Sequence, residues 1–332
     1  MTGHDQPVGN GRSPLSAEDR RELRRQRRDR LRLQLRRRRR RAYIRSIHLL
    51  PSLATLANLI CGFGAIYVAT LVPWSLSDPD RAQQDPWAVF FADHRFVVAC
   101  YLVFAAMLFD AVDGQLARFA RHTTDFGGQL DSLSDVVSFG VAPSIIVLHA
   151  FKQDAVVLPL LLTRAVWAIA ALYAATAAIR LARFNVSNEH GVEHHFSFLG
   201  LPSPGAAATV VAFVLLQQEV RAHAVFGPSG PWYWLNVILT SLLPLVLLAC
   251  GLLMVSTLRY PHFTNRYLKG KRKLARLLSA VVVLLLLFVA HVYTLAAGTL
   301  IYAFFPPLQR ASLRARQWLG LAPRLPGPSA PT

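Results

Sequence analysis

The chain has 332 residues, of which 53% are hydrophobic types and only 16% charged. A soluble domain averages roughly 25% charged residues, so this composition, with a mean hydropathy of +0.35, excludes an ordinary water-soluble enzyme and a highly charged disordered chain. The net charge of +18 is uneven: residues 1–45 hold 16 Arg against 5 Asp/Glu, a net +11, and the remainder carries +7.

That N-terminal arm comes first. Residues 16–41 can form a basic helix with Ser16 as its cap. Basic runs of this kind can bind nucleic acid. Directly before an apolar stretch, the simpler reading is a topology signal resting on anionic headgroups, at about 1 kcal/mol per basic residue near the surface. The basic region is too long for a cleavable leader, and no small-residue cleavage site follows the apolar stretch.

Apolar stretches then recur at 49–72, 96–120, 128–150, 157–184, 204–220 and 232–257. Each is close to the 20 or so residues that a spanning helix needs. A last stretch, 275–305, would measure roughly 45 Å as one helix against a hydrocarbon core of about 30 Å. It reads as two shorter spans turning within His291–Gly298. In lipid the backbone must satisfy its own hydrogen bonds, so the expected fold is an all-α polytopic helix bundle of about eight spans.

The expected organisation is a basic arm (1–45), a transmembrane core (46–263), a basic loop with a C-terminal hydrophobic hairpin (264–308), and a tail (309–332) that reads as disordered and is rich in Pro and Gly from 319. Lys/Arg bias sets the orientation. Arg36–Arg41, the segment 259–276 and the Arg310, Arg314, Arg316 cluster belong in the cytoplasm. The first loop, with Asp78, Asp80, Asp85 and Asp93, belongs outside. Cys61, Cys100 and Cys250 are far apart and make neither a disulfide framework nor a zinc site.

The chemistry concentrates in 107–144, MLFDAVDGQLARFARHTTDFGGQLDSLSDVVSFGVAPS. Asp110 and Asp113 are three apart near the end of the second span, and Asp131 and Asp135 four apart near the start of the third. Each pair shares a helical face. The short link between them makes the two helices antiparallel neighbours, so the four carboxylates can converge. An intramembrane Asp costs about 2.5–3.5 kcal/mol at a helix centre, and four like charges need neutralising. Two Mg²⁺ or Mn²⁺ ions suit oxygen ligands and can clamp an in-line phosphoryl displacement. Gly114 and Ala117 continue the carboxylate face as an open groove, Gly127 and Gly128 permit close approach, and Arg118 is a fixed cation for phosphate. The plainer alternative is that small residues serve helix packing while the Asp residues cap helices or pair with Arg118 and Arg121.

The spacing Asp110-x2-Asp113-Gly114-x2-Ala117-Arg118-x8-Gly127-x3-Asp131-x3-Asp135 resembles the signature of the CDP-alcohol phosphatidyltransferase family at all eight defined positions. The resemblance implies that Asp110, Asp113 and Asp131 bind the metal pair. Asp135 would contribute to metal binding and act as catalytic base, and Gly114, Ala117, Arg118 and Gly127 would hold the CDP moiety. Further segments resemble the membrane-embedded phosphatidylserine synthases: 132–144, IRLARFNV (179–186), FLGLPSPGAAA (198–208) and MVSTLRYPHF (254–263). The first span resembles that group too. It keeps Thr55 and Asn58, which join the CDP-binding set, but has Ser52 where the group has Asn.

The implied activity is transfer of a phosphatidyl group from CDP-diacylglycerol to L-serine, in a protein that can form a homodimer. Arg180, Arg183 and Arg259, at helix ends on the carboxylate side, are the candidates for the serine carboxylate or a phosphate; snorkelling arginines are the bland alternative. His194 and His195 read as solvated. Two rival functions stand beside this one: the same transfer to glycerol phosphate, an inositol phosphate or choline, and a carboxylate-lined cation pathway in a transporter.

Overall fold

A computed structural model describes residues 53–72, 86–120, 125–154, 160–189, 197–224, 230–261 and 273–318. The basic arm, Ser52, Asp78, Asp80, Asp85, Arg121, the His194–His195 pair and the 319–332 tail lie outside these residues.

Helix α1 runs over Leu53–Thr70. Helix α2 (Pro86–Asp93) meets α3 (Arg95–Ala120) at His94, across which helical hydrogen bonds continue. The segment just before the second span is therefore partly helical rather than all loop. Helix α4 (Asp125–Asp135) passes through a π-helical segment (Val136–Val141) into α5 (Ala142–Asp154). Then follow α6 (Leu160–Glu189), β1 (Ser197–Leu199), α7 (Ser203–Ala224), α8 (Pro231–Val255), β2 (Arg259–Pro261), α9 (Lys273–Val289) and α10 (His291–Trp318).

Among the described residues, five helices are long and apolar enough to cross a membrane: Leu53–Thr70, Arg95–Leu116, Phe126–Gln153, Leu160–Val186 and Pro231–Val255. The protein is an integral, multi-pass membrane protein built as a helical bundle. Helix α7 is central, packing against α3, α5, α8 and α10. A helix surrounded by protein can carry polar groups if they are paired. Gln217 Nε2 donates to Asn236 Oδ1 at 2.9 Å and to Thr240 Oγ1 at 3.1 Å, joining α7 to α8 inside the bundle.

The last hydrophobic stretch does divide in two, but the break falls at Ala290, just ahead of the His291–Gly298 window. The Leu286 and Ala290 carbonyls keep their backbone bonds across the bend, from Ala290 and Thr294 N–H at 2.8 and 3.0 Å, and Thr294 Oγ1 adds a second donor to each, at 3.1 and 2.9 Å. Helix α10 then continues to Trp318, so residues 309–318, expected in the disordered tail, are helical. Their run of Ala, Leu, Arg and Gln is strongly helix-forming.

Two short strands were not foreseen. Strands β1 and β2 pair antiparallel, Phe198 opposite Tyr260. The turn after β1 needs Gly200, whose φ is +83° and whose Cβ would lie 2.2 Å from the Met254 carbonyl oxygen. Its amide and that of Leu201 donate to the Leu258 and Leu253 carbonyls at 2.8 and 2.9 Å. This ladder fixes the N-terminus of α7 against the C-terminal end of α8.

Candidate active site

The depth of the site follows from helix geometry. Exposed Trp87, Trp232, Tyr233 and Trp234 lie near the starts of α2 and α8, and Asp93, Tyr233 and His291 line one cavity at that end. Such aromatics mark a membrane interface. Asp110 lies 15 residues along α3 from Arg95, which is about 22 Å at about 1.5 Å per residue. The carboxylates therefore sit towards the opposite side of the bilayer.

Carboxylate oxygens of Asp110, Asp131 and Asp135 all lie within 4.8 Å of one another. Helices α3 and α4 thus bring both pairs to one place, but the fourth carboxylate stands slightly apart. Asp113 is buried and accepts a hydrogen bond from the Thr55 hydroxyl. It remains close enough for its charge to act on Asp110 and Asp131.

Helix α1 holds these carboxylates in place. Asn58 Nδ2 donates to Asp135 Oδ1 at 3.1 Å, and both residues are buried. In return the third span holds α1: Ser134 Oγ donates to the Thr55 carbonyl at 3.1 Å and Ser138 Oγ to the Asn58 carbonyl at 3.0 Å. The two helices can come this close because residue 62 is glycine. A Cβ there would lie 2.7 Å from Ser138 Cα. Thr55 and Asn58, expected in the CDP-binding set, contact the carboxylates. A hydrogen bond to a charged group is worth about 1.5–3 kcal/mol, a magnitude that offsets much of the cost of one intramembrane Asp.

The π-helical segment begins immediately after Asp135. A π turn loosens the ladder, and such turns recur at functional sites. Here the Tyr173 hydroxyl donates to the Phe139 carbonyl at 3.2 Å and Ser144 Oγ to the Gly140 carbonyl at 2.8 Å. Ser134, Ser138 and Tyr173 were missed as site-supporting residues. Ser134 and Ser138 are four apart beside Asp131 and Asp135, a polar stripe on an otherwise apolar span, and that spacing was the available signal.

Beside the cluster, a Cβ at Gly114 or at Gly128 would meet nothing within 4 Å among the described residues. Both positions border open space. Gly127 is half-buried in the first turn of α4, and Ala117 and Arg118 lie in the last turn of α3.

The three arginines separate. Arg180, in α6, is half-buried and donates from Nη1 to Ser203 Oγ at 2.6 Å, at the first residue of α7. Its charge acts on Asp135, and its buried Nε has no hydrogen-bond partner among the described residues. Arg183 is exposed one turn further along α6. Arg259 is placed in β2, its backbone opposite Leu199. Nearby, Asn185 Nδ2 donates to Ser132 Oγ at 2.8 Å, tying the end of α6 to α4.

Chemically, three clustered carboxylates offer hard oxygen donors. Ligand oxygens about 2.0–2.1 Å from one Mg²⁺ lie at most about 4.2 Å apart, inside the 4.8 Å limit that bounds this cluster. The buried Asn58 Oδ1 has no hydrogen-bond partner among the described residues, as fits a position facing a hydrated cation.

The family model for CDP-alcohol phosphatidyltransferases matches residues 48–242, more than half of the chain. The chain belongs to that family. A Helicobacter pylori protein named CDP-diacylglycerol–serine O-phosphatidyltransferase is 33% identical over 220 residues, 66% of this chain and 75% of the relative. A Methanocaldococcus jannaschii protein of the same name is 33% identical over 165 residues, 50% of this chain and 64% of that one. An archaetidylserine synthase from Methanothermobacter thermautotrophicus is 32% identical over 172 residues, 51% of this chain and 60% of that one. The chain is thus a membrane-embedded transferase, and the cation-pathway reading falls away.

Proposed function

We propose that this enzyme transfers the phosphatidyl group of CDP-diacylglycerol to L-serine, giving phosphatidylserine and CMP. The observation that carries the reading is the convergence of Asp110, Asp131 and Asp135 within 4.8 Å, with Asp113 beside them, in a member of a family whose relatives are named for this reaction.

Asp110, Asp113, Asp131 and Asp135 would hold two divalent ions, Mg²⁺ or Mn²⁺. Bound there, the ions would neutralise the diphosphate and polarise the phosphorus under attack. Asp135 accepts the proton of the serine hydroxyl as that oxygen attacks the phosphorus bearing the diacylglycerol. The bond from that phosphorus to the bridging oxygen breaks, and CMP leaves with the electron pair. Asn58 fixes the Asp135 carboxylate for this proton transfer, and Thr55 fixes Asp113. Gly114, Gly127 and Ala117 leave room for the CDP moiety, and Arg118 supplies the cation for the departing phosphate. Acyl chains leave the groove sideways into lipid.

Arg180 is the best-supported ligand for the serine carboxylate. Ser203 orients one of its nitrogens, its Nε faces inward without a partner among the described residues, and Asp135 lies within electrostatic reach. The active-site end faces the cytoplasm, where the basic segments 36–41, 259–276 and 310–316 also belong.

An acceptor screen tests the reading. Purified protein with labelled CDP-diacylglycerol and Mg²⁺ should form lipid product with serine. Product with glycerol phosphate, inositol phosphate or choline, and none with serine, would overturn the assignment of acceptor.

A further inference from the structure

We infer that Tyr302, on helix α10 beyond the residues matched by the family model, sets acceptor size: its ring and hydroxyl wall the subsite at Arg180 against alcohols larger than serine. This rests on the reading of Arg180 as the acceptor's anchor.

The placement is specified by several independent contacts. Thr209 Oγ1, in the second turn of α7, donates to the Thr299 carbonyl of α10 at 3.2 Å. The fully buried Tyr260, in β2, donates to the Ala303 carbonyl at 2.9 Å, and its ring lies 5.9 Å from that of Tyr302. Thr299 and Ala303, one turn apart in α10, are thus each held by a different element. Tyr302 in turn sits directly on Gly205, where a Cβ would come within 2.9 Å of its Cε1. Gly205 is two residues from Ser203, which orients Arg180.

The Tyr302 side chain also lies within electrostatic reach of the Arg180 guanidinium. It is half-buried, with its ring against Gly205 and beside the Tyr260 ring. A phenol of this kind, with few rotatable bonds, is a rigid wall with one polar tip. Beside a guanidinium whose Nε has no hydrogen-bond partner among the described residues, the tip offers a second hydrogen bond to a small zwitterionic alcohol. The ring excludes the volume that one more carbon would need.

Three variants test this. Tyr302→Phe keeps the wall and removes the hydroxyl. It should raise the serine KM a few-fold to about tenfold, the scale of one neutral hydrogen bond, and leave the CDP-diacylglycerol KM within about twofold. Tyr302→Leu and Tyr302→Ala shorten the wall. The ratio of kcat/KM for homoserine to that for serine should rise by about tenfold or more, the usual scale for one methylene. Thermal transitions in detergent show which variants fold; if Tyr302→Ala does not, Tyr302→Leu carries the size test. A merely structural role would lower activity with both acceptors alike and leave the ratio fixed. Folded Phe and Leu variants with wild-type serine KM and wild-type homoserine-to-serine ratio would overturn the inference. If the wild type uses another alcohol and not serine, the proposed reaction fails. The same variants are then scored on that alcohol and its one-carbon-longer homologue, with the same two outcomes.

Discussion

Asn58→Leu removes the hydrogen bond to Asp135 and the polar Oδ1 beside it, at nearly constant volume. The side chains are similar in size, position 58 is fully buried, and the bond lost is Asn58 Nδ2 to Asp135 Oδ1 at 3.1 Å. A hydrogen bond to a charged group contributes about 1.5–3 kcal/mol, equivalent to roughly tenfold to 150-fold in an equilibrium or rate constant. Outer contacts that orient metal ligands typically alter metal affinity or activity by about 10–100-fold. The two scales agree, so Asn58→Leu should raise the half-saturating Mg²⁺ concentration, lower kcat, or split between them, to a combined effect of at least about tenfold. The CDP-diacylglycerol KM at saturating metal should change by less than about threefold. The assay is CMP release in detergent, titrated first in metal and then in lipid. A direct CDP contact would give the opposite pattern. Unchanged metal dependence and kcat with a raised CDP-diacylglycerol KM would refute the orienting role.

Activity should vanish in excess chelator and return with Mg²⁺ or Mn²⁺ but not with a monovalent ion, as followed by CMP release. Asp135→Asn should lower kcat by about 10²-fold or more, a general-base effect, with CDP-diacylglycerol binding retained in an equilibrium assay. Gly114→Ala should stabilise α3 by about 0.5–1 kcal/mol and raise the CDP-diacylglycerol KM. Gly62→Ala should instead cost about 1–3 kcal/mol through overpacking against Ser138, and thermal melts separate the two. Arg180→Ala should raise the serine KM by about tenfold to 150-fold and discriminate less than wild type between serine and serinamide.

The long apolar blocks made the bundle legible, because span length and hydropathy are local properties that the bilayer enforces. The pairing of carboxylates was legible too, since three- and four-residue spacings put Asp110 with Asp113 and Asp131 with Asp135 whatever surrounds them. What depends on partners was not. Thr55 and Asn58 stood out in the first span, but their contacts with Asp113 and Asp135 cross 58 and 77 residues of chain. The π-helical turn after Asp135 has no composition that distinguishes it from α-helix. The β1–β2 pairing joins segments about 60 residues apart, each too short for a strand pattern. Arg180, Arg183 and Arg259 looked equivalent as helix-end cations, and the packing of α6 on α7 separated the half-buried Arg180 from the exposed Arg183.

The central claim is that the Asp110, Asp131, Asp135 cluster carries phosphatidyl transfer to serine. Its most direct test measures CMP and phosphatidylserine in parallel, from labelled CDP-diacylglycerol, serine and Mg²⁺, with purified wild type and a folded Asp131→Ala variant. Wild type should form the two products in equal amounts, and the variant should form neither. Equal product from the variant, or CMP release by wild type without phosphatidylserine, would contradict it.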